Sequence, residues 1–518
     1  MAVKAEKFDE LRRVITENLR VQKDGTPIKY VNVGTALQDA CSRQNHAIFA
    51  RRGCGKTLLL HHSASILKSD LRSIYLNCED FKRHSFPNVL IEILRAIFKE
   101  LDRNLSGWFG RKKQSKEIIR EILSRLDALQ LSSDSQTEDV RTRSSIGKSQ
   151  AASVGASLVN GGAAVKADLG IASQESEEIE RSFRIHKQKL EELDNWLPDL
   201  KSKIRTFFGL SKTIKAVVLQ IDDLYHLKRT DQAFVVDYIH RLCKDLPLYF
   251  KIATLRHAST LYLDRDGQPI GAQERHDYQP INIDYTFAEF GKTALQNWTI
   301  LQEFAKEAGL AAYDVESMFK GEGFNRLVMA GGGVPRDVLS LFLEILSHVD
   351  ASHGGKIGKD EVRILSRSNF ERKIAELKQD SKGDEQDDLI KGIYIIREFC
   401  LSRKTNIFLV QERMLQENDM WRSLFYRLLD YRIIHSCASA LTHKSAEGTY
   451  QAFSIDIGCY AHLRKLQNKF SEIDVSAADA KDKMRSAPIL EEVKLETLSK
   501  SAPQDLERAL SEQESEDD

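Results

Sequence analysis

His46-Ala47-Ile48-Phe49-Ala50-Arg51-Arg52-Gly53-Cys54-Gly55-Lys56-Thr57-Leu58-Leu59-Leu60 reads as a strand, a glycine turn and the start of a helix. Gly53 and Gly55 let the backbone curl so that successive N–H groups face phosphate oxygens, and the new helix adds its positive end. Lys56 is placed to reach β- and γ-phosphates and the Thr57 hydroxyl to hold Mg²⁺; Arg52, Cys54 and Leu58 complete the cradle. The pattern G-x-x-x-x-G-K-[ST] is met except at its first glycine, which is Ala50. That glycine opens the turn and contacts phosphate less than the G-K-T end does. The expected ligands are ATP and Mg²⁺.

A second signature lies downstream. Ile214 to Asp223 is an apolar, β-rich run ending in two acids. Carboxylates at the C-terminal end of a strand in a parallel sheet lie beside the phosphate loop, so Asp222 is assigned to the metal and Asp223 to the attacking water. The next strand, Leu248 to Arg256, would deliver Thr254 and Arg256 towards the γ-phosphate. In Gly331-Gly332-Gly333-Val334-Pro335-Arg336, a helix starts with Arg336 in its first turn, where the helix dipole disfavours a cation. That placement argues for a task for Arg336.

Bulk properties bound the rest. At 518 residues the chain has room for two to four domains, and its 76 basic and 76 acidic residues cancel. The balance is uneven, because residues 501–518 hold seven acids against Arg508 alone, which leaves a mildly basic body compatible with nucleic acid. Seven scattered cysteines without a C-x-x-C pair fit reduced thiols; the charged stretch Met1 to Glu17 lacks an apolar core of signal-peptide length, and no run approaches the length of a membrane span. A cytoplasmic location is expected.

The order along the chain follows. Residues 1–45 form lead-in helices and 46–286 an α/β core; 287–378 form a helical lid. An insertion at 108–209 interrupts the core. Ile179, Phe183, His186, Leu190, Leu193, Leu197 and Leu200 make a coiled-coil seam, and Ile119, Ile122, Leu126 and Leu129 offer a matching arm, with Pro198 limiting or kinking the second. Asn160-Gly161 between small apolar runs gives either a β-hairpin tip at 152–169 or a disordered linker. The insertion is the expected protein-partner contact.

Residues 386–470 follow a polar break at 379–385 and read as three helices and a β-wing, a winged helix. Arg422, Tyr426 and Arg427 are then expected to face outward for DNA, with Lys444 near the wing tip; protein contact alone is the other reading. Residues 471–518 are expected to be a disordered acidic tail.

With these motifs in one order, the chain resembles the origin-recognition (ORC-like) branch of AAA+ ATPases over about residues 25–470, minus the insertion. The resemblance implies a fold of α/β class: a parallel-sheet P-loop core with a helical lid and a C-terminal winged helix. It implies that Lys56 and Thr57 correspond to Walker A, Asp222 and Asp223 to Walker B, Thr254 to sensor 1 and Arg336 to sensor 2. It further implies an ATPase that assembles into homo-oligomers and acts on DNA. Walker B ends in Asp-Asp where most such ATPases have Asp-Glu, which implies slow hydrolysis. Thr254-Leu255-Arg256 resembles the strand-end arginine of the STAND signalling ATPases, so a nucleotide-controlled switch is the alternative, and a scaffold with structural nucleotide a third reading. No arginine finger is identified; Arg265 and Arg275 are candidates by position. The insertion fits poorly with an origin initiator, so a mobile-element or phage-defence setting is expected.

Overall fold

The computed structural model describes residues 2–20, 28–32, 34–103, 111–131, 187–211, 214–265, 267–349, 355–381, 383–461 and 470–501. The expected hairpin tip at 152–169, the start of the coiled-coil seam at Ile179, Phe183 and His186, and the acidic residues 505–518 lie outside them.

The core strands are β1 (His46–Phe49), β2 (Leu71–Asn77), β3 (Ala216–Asp222) and β4 (Leu248–Thr254). A small hairpin of β5 (Tyr262–Arg265) and β6 (Gln268–Gly271) precedes β7 (Gln279–Asn282). The sheet runs β2-β3-β4-β1-β7, and every pair in it is parallel. All residues of β1 and β3 are buried, which is why they read as unbroken apolar runs rather than alternating ones. β4 sits between the phosphate-loop strand and the acid-bearing strand, with Phe49 opposite Thr254 and Asn77 opposite Asp222. The C-terminal ends of β1 to β4 therefore meet at one edge, where a doubly wound sheet places its ligand.

The roots of the insertion are helices Arg111–Leu131 and Lys187–Leu210. The spaced apolar residues Ile119, Ile122, Leu126 and Leu129 are buried, as are Leu193, Leu197 and Leu200. Both roots join helix Asn88–Arg103 in the apolar core of the sheet domain, and Arg95 pairs with Asp127 at 2.7 Å. They form a layer on the core rather than a free stalk at this level. Pro198 lies inside the second helix and does not end it; one buried face on either side of the proline carries the helix through.

The lid comprises helices Phe290–Glu307, Ala312–Ser317, Gly323–Ala330, Pro335–His348 and Lys359–Asp380. The N-terminal helix Ala2–Asn18 lays Phe8, Leu11, Val14 and Ile15 into the lid core. The C-terminal unit has helices Asp384–Arg403, Glu412–Glu417 and Asp419–Asp430 and a sheet ordered β8-β10-β9, from β8 (Ile407–Gln411), β9 (Ile434–Thr442) and β10 (Thr449–Ile455). Both ladders are antiparallel, giving a winged-helix fold. It shares one apolar core with the lid.

Two expectations need correction here. Residues 471–501, expected as part of a disordered tail, fold onto the winged helix. Leu409 donates its N–H to Pro488 O (2.9 Å) and accepts from Leu490 N–H (2.8 Å). Ile473, Met484, Leu490 and Leu495 are buried, and this spaced apolar set anchors a stretch whose overall composition is polar. The helix Asp419–Asp430 also does not present Tyr426 and Arg427 outward. Tyr426 stacks on His257, ring centroids 4.4 Å apart, and Arg427 pairs with Glu385 at 3.0 Å. Only one face of that helix is free, and the core covers the other.

Candidate nucleotide site

The loop between β1 and helix Lys56–Ser65 turns as its glycines require. Gly53 and Gly55 have φ of 87° and 88°, the left-handed region open to residues without a Cβ. A Cβ on Gly53 would also lie 2.7 Å from Arg336 Cβ, because the lid helix Pro335–His348 starts directly on the loop. Arg336 N–H donates to Gly53 O at 3.3 Å.

Around this contact opens a cavity of about 840 Å³ lined by Arg52, Gly53, Cys54, Gly55, Lys56, Thr57, Leu58, Asp223 and Arg336, among others. Its volume falls within the range of small-molecule sites. Tyr30, Phe304 and Leu339 add apolar walls away from the loop.

The charges here are unusually placed. Lys56 is buried and donates only to the carbonyls of Ala50 (2.9 Å) and Arg51 (3.4 Å), and burial lowers its pKa. Among the described residues Arg336 pairs with no carboxylate, and its buried Nε has no partner. Opposite them, Asp222 accepts three hydrogen bonds: from the Thr57 hydroxyl (2.6 Å) and the Tyr75 hydroxyl (2.8 Å) on Oδ2, and from Asp223 N–H (3.0 Å) on Oδ1. Burial first, then the neighbouring Asp223 charge, push the Asp222 carboxyl up to about 6. Asp223 stands at φ 53°, a left-handed position that aspartate tolerates better than most residues and that turns its side chain into the cavity. Thr57 and Asp222 are hard oxygen donors side by side, the set Mg²⁺ takes when a substrate's phosphates and water supply the remainder.

Two of the anticipated residues do not reach the cavity. The Thr254 hydroxyl is fully buried against Ser259 Oγ at 2.5 Å. Arg256 lies with its guanidinium 4.4 Å over the Phe49 ring and pairs with Glu274 at 3.0 Å. Both sit at the end of β4, as its register requires, but neither lines the cavity. The DNA candidates are dispersed: Arg422 pairs with Asp419 at 2.5 Å on the exposed face, and Lys444 pairs with Asp482 at 2.8 Å. The side chain of Arg265 lies outside the description; Arg275 is exposed.

The sequence reading missed Tyr75, which fixes the Asp222 carboxylate. Its signal was the polar alternation of Ser73, Tyr75 and Asn77 on β2, a period of two that sends all three to one side. Also missed were Tyr225 and Asp380, which hold Arg52: its guanidinium lies 4.6 Å over the Tyr225 ring and pairs with Asp380.

The strand order, with the acid-bearing strand one removed from the loop strand, and the lid seated on that loop together define the architecture. This is a parallel-sheet P-loop core with a helical lid and a C-terminal winged helix. No family model and no curated relative matches the chain. Among solved structures it is similar to the Aeropyrum pernix ORC2 protein in its ADPNP–ADP complexes, at 12% identity over 92% of this chain and 97% of that one, TM-score 0.40. The Aeropyrum pernix ORC1 protein in complex with DNA matches at 12% identity over 89% and 92%, TM-score 0.32. Thermotoga maritima RuvB matches at 14% identity over 51% of this chain and 74% of its own, TM-score 0.23.

Proposed function

We propose that the chain binds ATP·Mg²⁺ between its parallel-sheet core and its lid and hydrolyses it slowly. One observation carries this reading: buried Lys56 and lid Arg336 face a common cavity without carboxylate partners, beside a paired Thr57 and Asp222. A buried cation without an anion is costly, and a polyphosphate is the anion whose size and charge fit this space.

The steps follow from the residues. Backbone N–H groups of residues 53–57 and the helix start would take the β-phosphate. Lys56 would exchange its two carbonyl acceptors for phosphate oxygens, at little reorganisation cost. Thr57 and Asp222 would hold Mg²⁺, which neutralises charge on the leaving phosphates. Asp223 would orient the attacking water, and Arg336 would report the γ-phosphate to the lid helix on which it sits. The aspartate side chain is one methylene shorter than the usual glutamate, which favours slow turnover.

We further propose that ATP-bound copies assemble and that the winged helix contacts duplex DNA through Arg422, Tyr426, Arg427 and Lys444. Tyr426 and Arg427 must first leave their partners His257 and Glu385. Support comes from the winged-helix fold itself. A nucleotide-controlled switch is the second reading, favoured by the way Asp430 caps the backbone N–H groups of His257 (3.0 Å) and Ala258 (2.8 Å) just beyond β4.

The test is calorimetric titration with ATP·Mg²⁺, followed by duplex binding across a salt series. Binding of ATP to wild type but not to Lys56→Ala supports the ATPase reading. DNA affinity that is salt-dependent and falls in Arg422→Ala/Arg427→Ala supports the DNA role, whereas ATP binding with no duplex affinity favours the switch.

A further inference from the structure

Arg52 occupies a variable position of the phosphate loop, yet it is tied to a distant part of the chain. Its guanidinium pairs with Asp380, 328 residues away, at the C-terminal end of helix Lys359–Asp380. It also lies 4.6 Å over the Tyr225 ring, and Lys56 Nζ lies 5.8 Å from the centroid of that same ring. The two cations therefore share one aromatic ring at the acid-bearing end of the cavity. Arg52 lines the cavity, and its buried Nε has no partner.

Asp380 belongs to a joint. One turn before it on the same helix face, Glu376 pairs with Arg432, which follows the recognition helix Asp419–Asp430. Arg432 also holds Asp337 of the lid through one guanidinium nitrogen, at 2.9 and 3.0 Å to the two oxygens. The winged helix begins at Asp384, four residues beyond Asp380. One end of one helix thus receives an arginine from the phosphate loop and an arginine from the winged helix.

We propose that Arg52 partitions between Asp380 and the terminal phosphate of a bound nucleoside triphosphate, and so transmits occupancy of the site to the docked winged helix. The inference rests on the nucleotide reading above and names the residue that would couple the site to its surroundings. An incoming triphosphate offers Arg52, which lines the cavity, an anion of higher charge than a single carboxylate. Asp380, once released, is left one turn from Glu376 without its cation, and like charges at that spacing loosen a helix end. The recognition helix, held by Asp430 on the His257 and Ala258 amides and by Tyr426 on His257, then swings more readily from the core.

The pair makes an asymmetric demand on its variants. Both Arg52→Ala and Asp380→Asn break the joint, so both should raise hydrogen exchange in residues 419–431 of the full-length chain without nucleotide. Their effects on ATP affinity should be opposite. Arg52→Ala loses a charged phosphate contact and should bind ATP about tenfold more weakly; Asp380→Asn frees Arg52 and should bind it several-fold more tightly. In wild type, a non-hydrolysable ATP analogue should raise exchange in 419–431 and ADP should raise it less. The double variant Arg52→Glu/Asp380→Arg re-forms the pair, so it should restore low exchange and lose the response to ATP; it also separates coupling from misfolding. ATP affinity shifted equally in both single variants, or ATP binding that leaves exchange in 419–431 unchanged, overturns the proposal alone. Wild type that binds no nucleotide overturns the nucleotide reading and this proposal with it.

Discussion

The nucleotide cavity and the joint beneath the winged helix both bury arginine and lysine, and they treat them in opposite ways. In the joint Arg51, Lys373 and Arg432 each have an anion. Arg51 is held by Asp284 through its backbone N–H and its guanidinium, at 2.7 to 3.0 Å; Lys373 meets Asp456 at 2.6 Å with both side chains almost wholly buried. Asp456 also meets His435 Nε2 at 3.1 Å, and burial lowers the pKa of that imidazole to about 4. In the cavity Lys56 has carbonyl acceptors only and Arg336 has no carboxylate. The paired charges tie elements together, whereas Lys56 and Arg336 line an open cavity. Arg52 stands on the border, lining the cavity while paired into the joint.

The comparison breaks most visibly through catalysis. Asp223→Asn should lower ATP turnover by about 10²- to 10⁴-fold, with ATP affinity little changed, in steady-state kinetics with isothermal titration as control. Turnover unaffected by that change would take the water-orienting role from Asp223.

Next comes stability. Lys373→Met leaves Asp456 buried without its nearest cation and should cost about 3–5 kcal/mol in urea unfolding. Arg336→Ala, on the cavity side, should cost little in the same experiment while abolishing any lid response to nucleotide. Equal losses in both variants would erase the distinction drawn here.

A smaller effect should come from pH. Burial pushes the Asp430 carboxyl up to about 7 in the docked state, against the accepted N–H bonds that pull it down. The docked form therefore takes up a proton that the undocked form, with an ordinary carboxyl, releases. Docking should be firmest below about pH 4, weaken as pH rises towards about 7, and change no further above it. Hydrogen exchange of residues 419–431 across that range should follow this course in wild type and lose it in Asp430→Asn.

The smallest effect belongs to the exposed pair of Arg413 and Glu417 at 2.8 Å, where Arg413→Ala should leave the thermal unfolding curve essentially unmoved.

What could be read from the sequence was local. The glycines at 53 and 55, the Lys56-Thr57 pair and the acids closing β3 are each read from a few adjacent residues, and they lie together at one end of the sheet. The end of β4 was located correctly, but the direction of its side chains was not: Thr254 finds Ser259 in the turn that follows, and Arg256 finds Glu274 beyond the β5–β6 hairpin. The joint was not legible at all. Nothing near Arg52 announces Asp380, and nothing near Asp430 announces the amides of His257 and Ala258. Such pairs arise only once the lid and winged helix share their core, and a single sequence does not encode that proximity as a pattern. The folded stretch 470–501 was obscured by composition, since its few apolar anchors, Ile473, Met484, Leu490 and Leu495, are spread among charges.

The most direct test of the central claim is isothermal titration of ATP·Mg²⁺ into the wild-type chain and Lys56→Ala, with far-ultraviolet circular dichroism to confirm that both are folded. Saturable one-site binding to wild type, weakened about 100-fold or more in the variant, is the expected result, since a charge-assisted contact to phosphate is lost from a buried site. Wild type that takes up no ATP, or a folded Lys56→Ala that binds as well as wild type, would contradict the account.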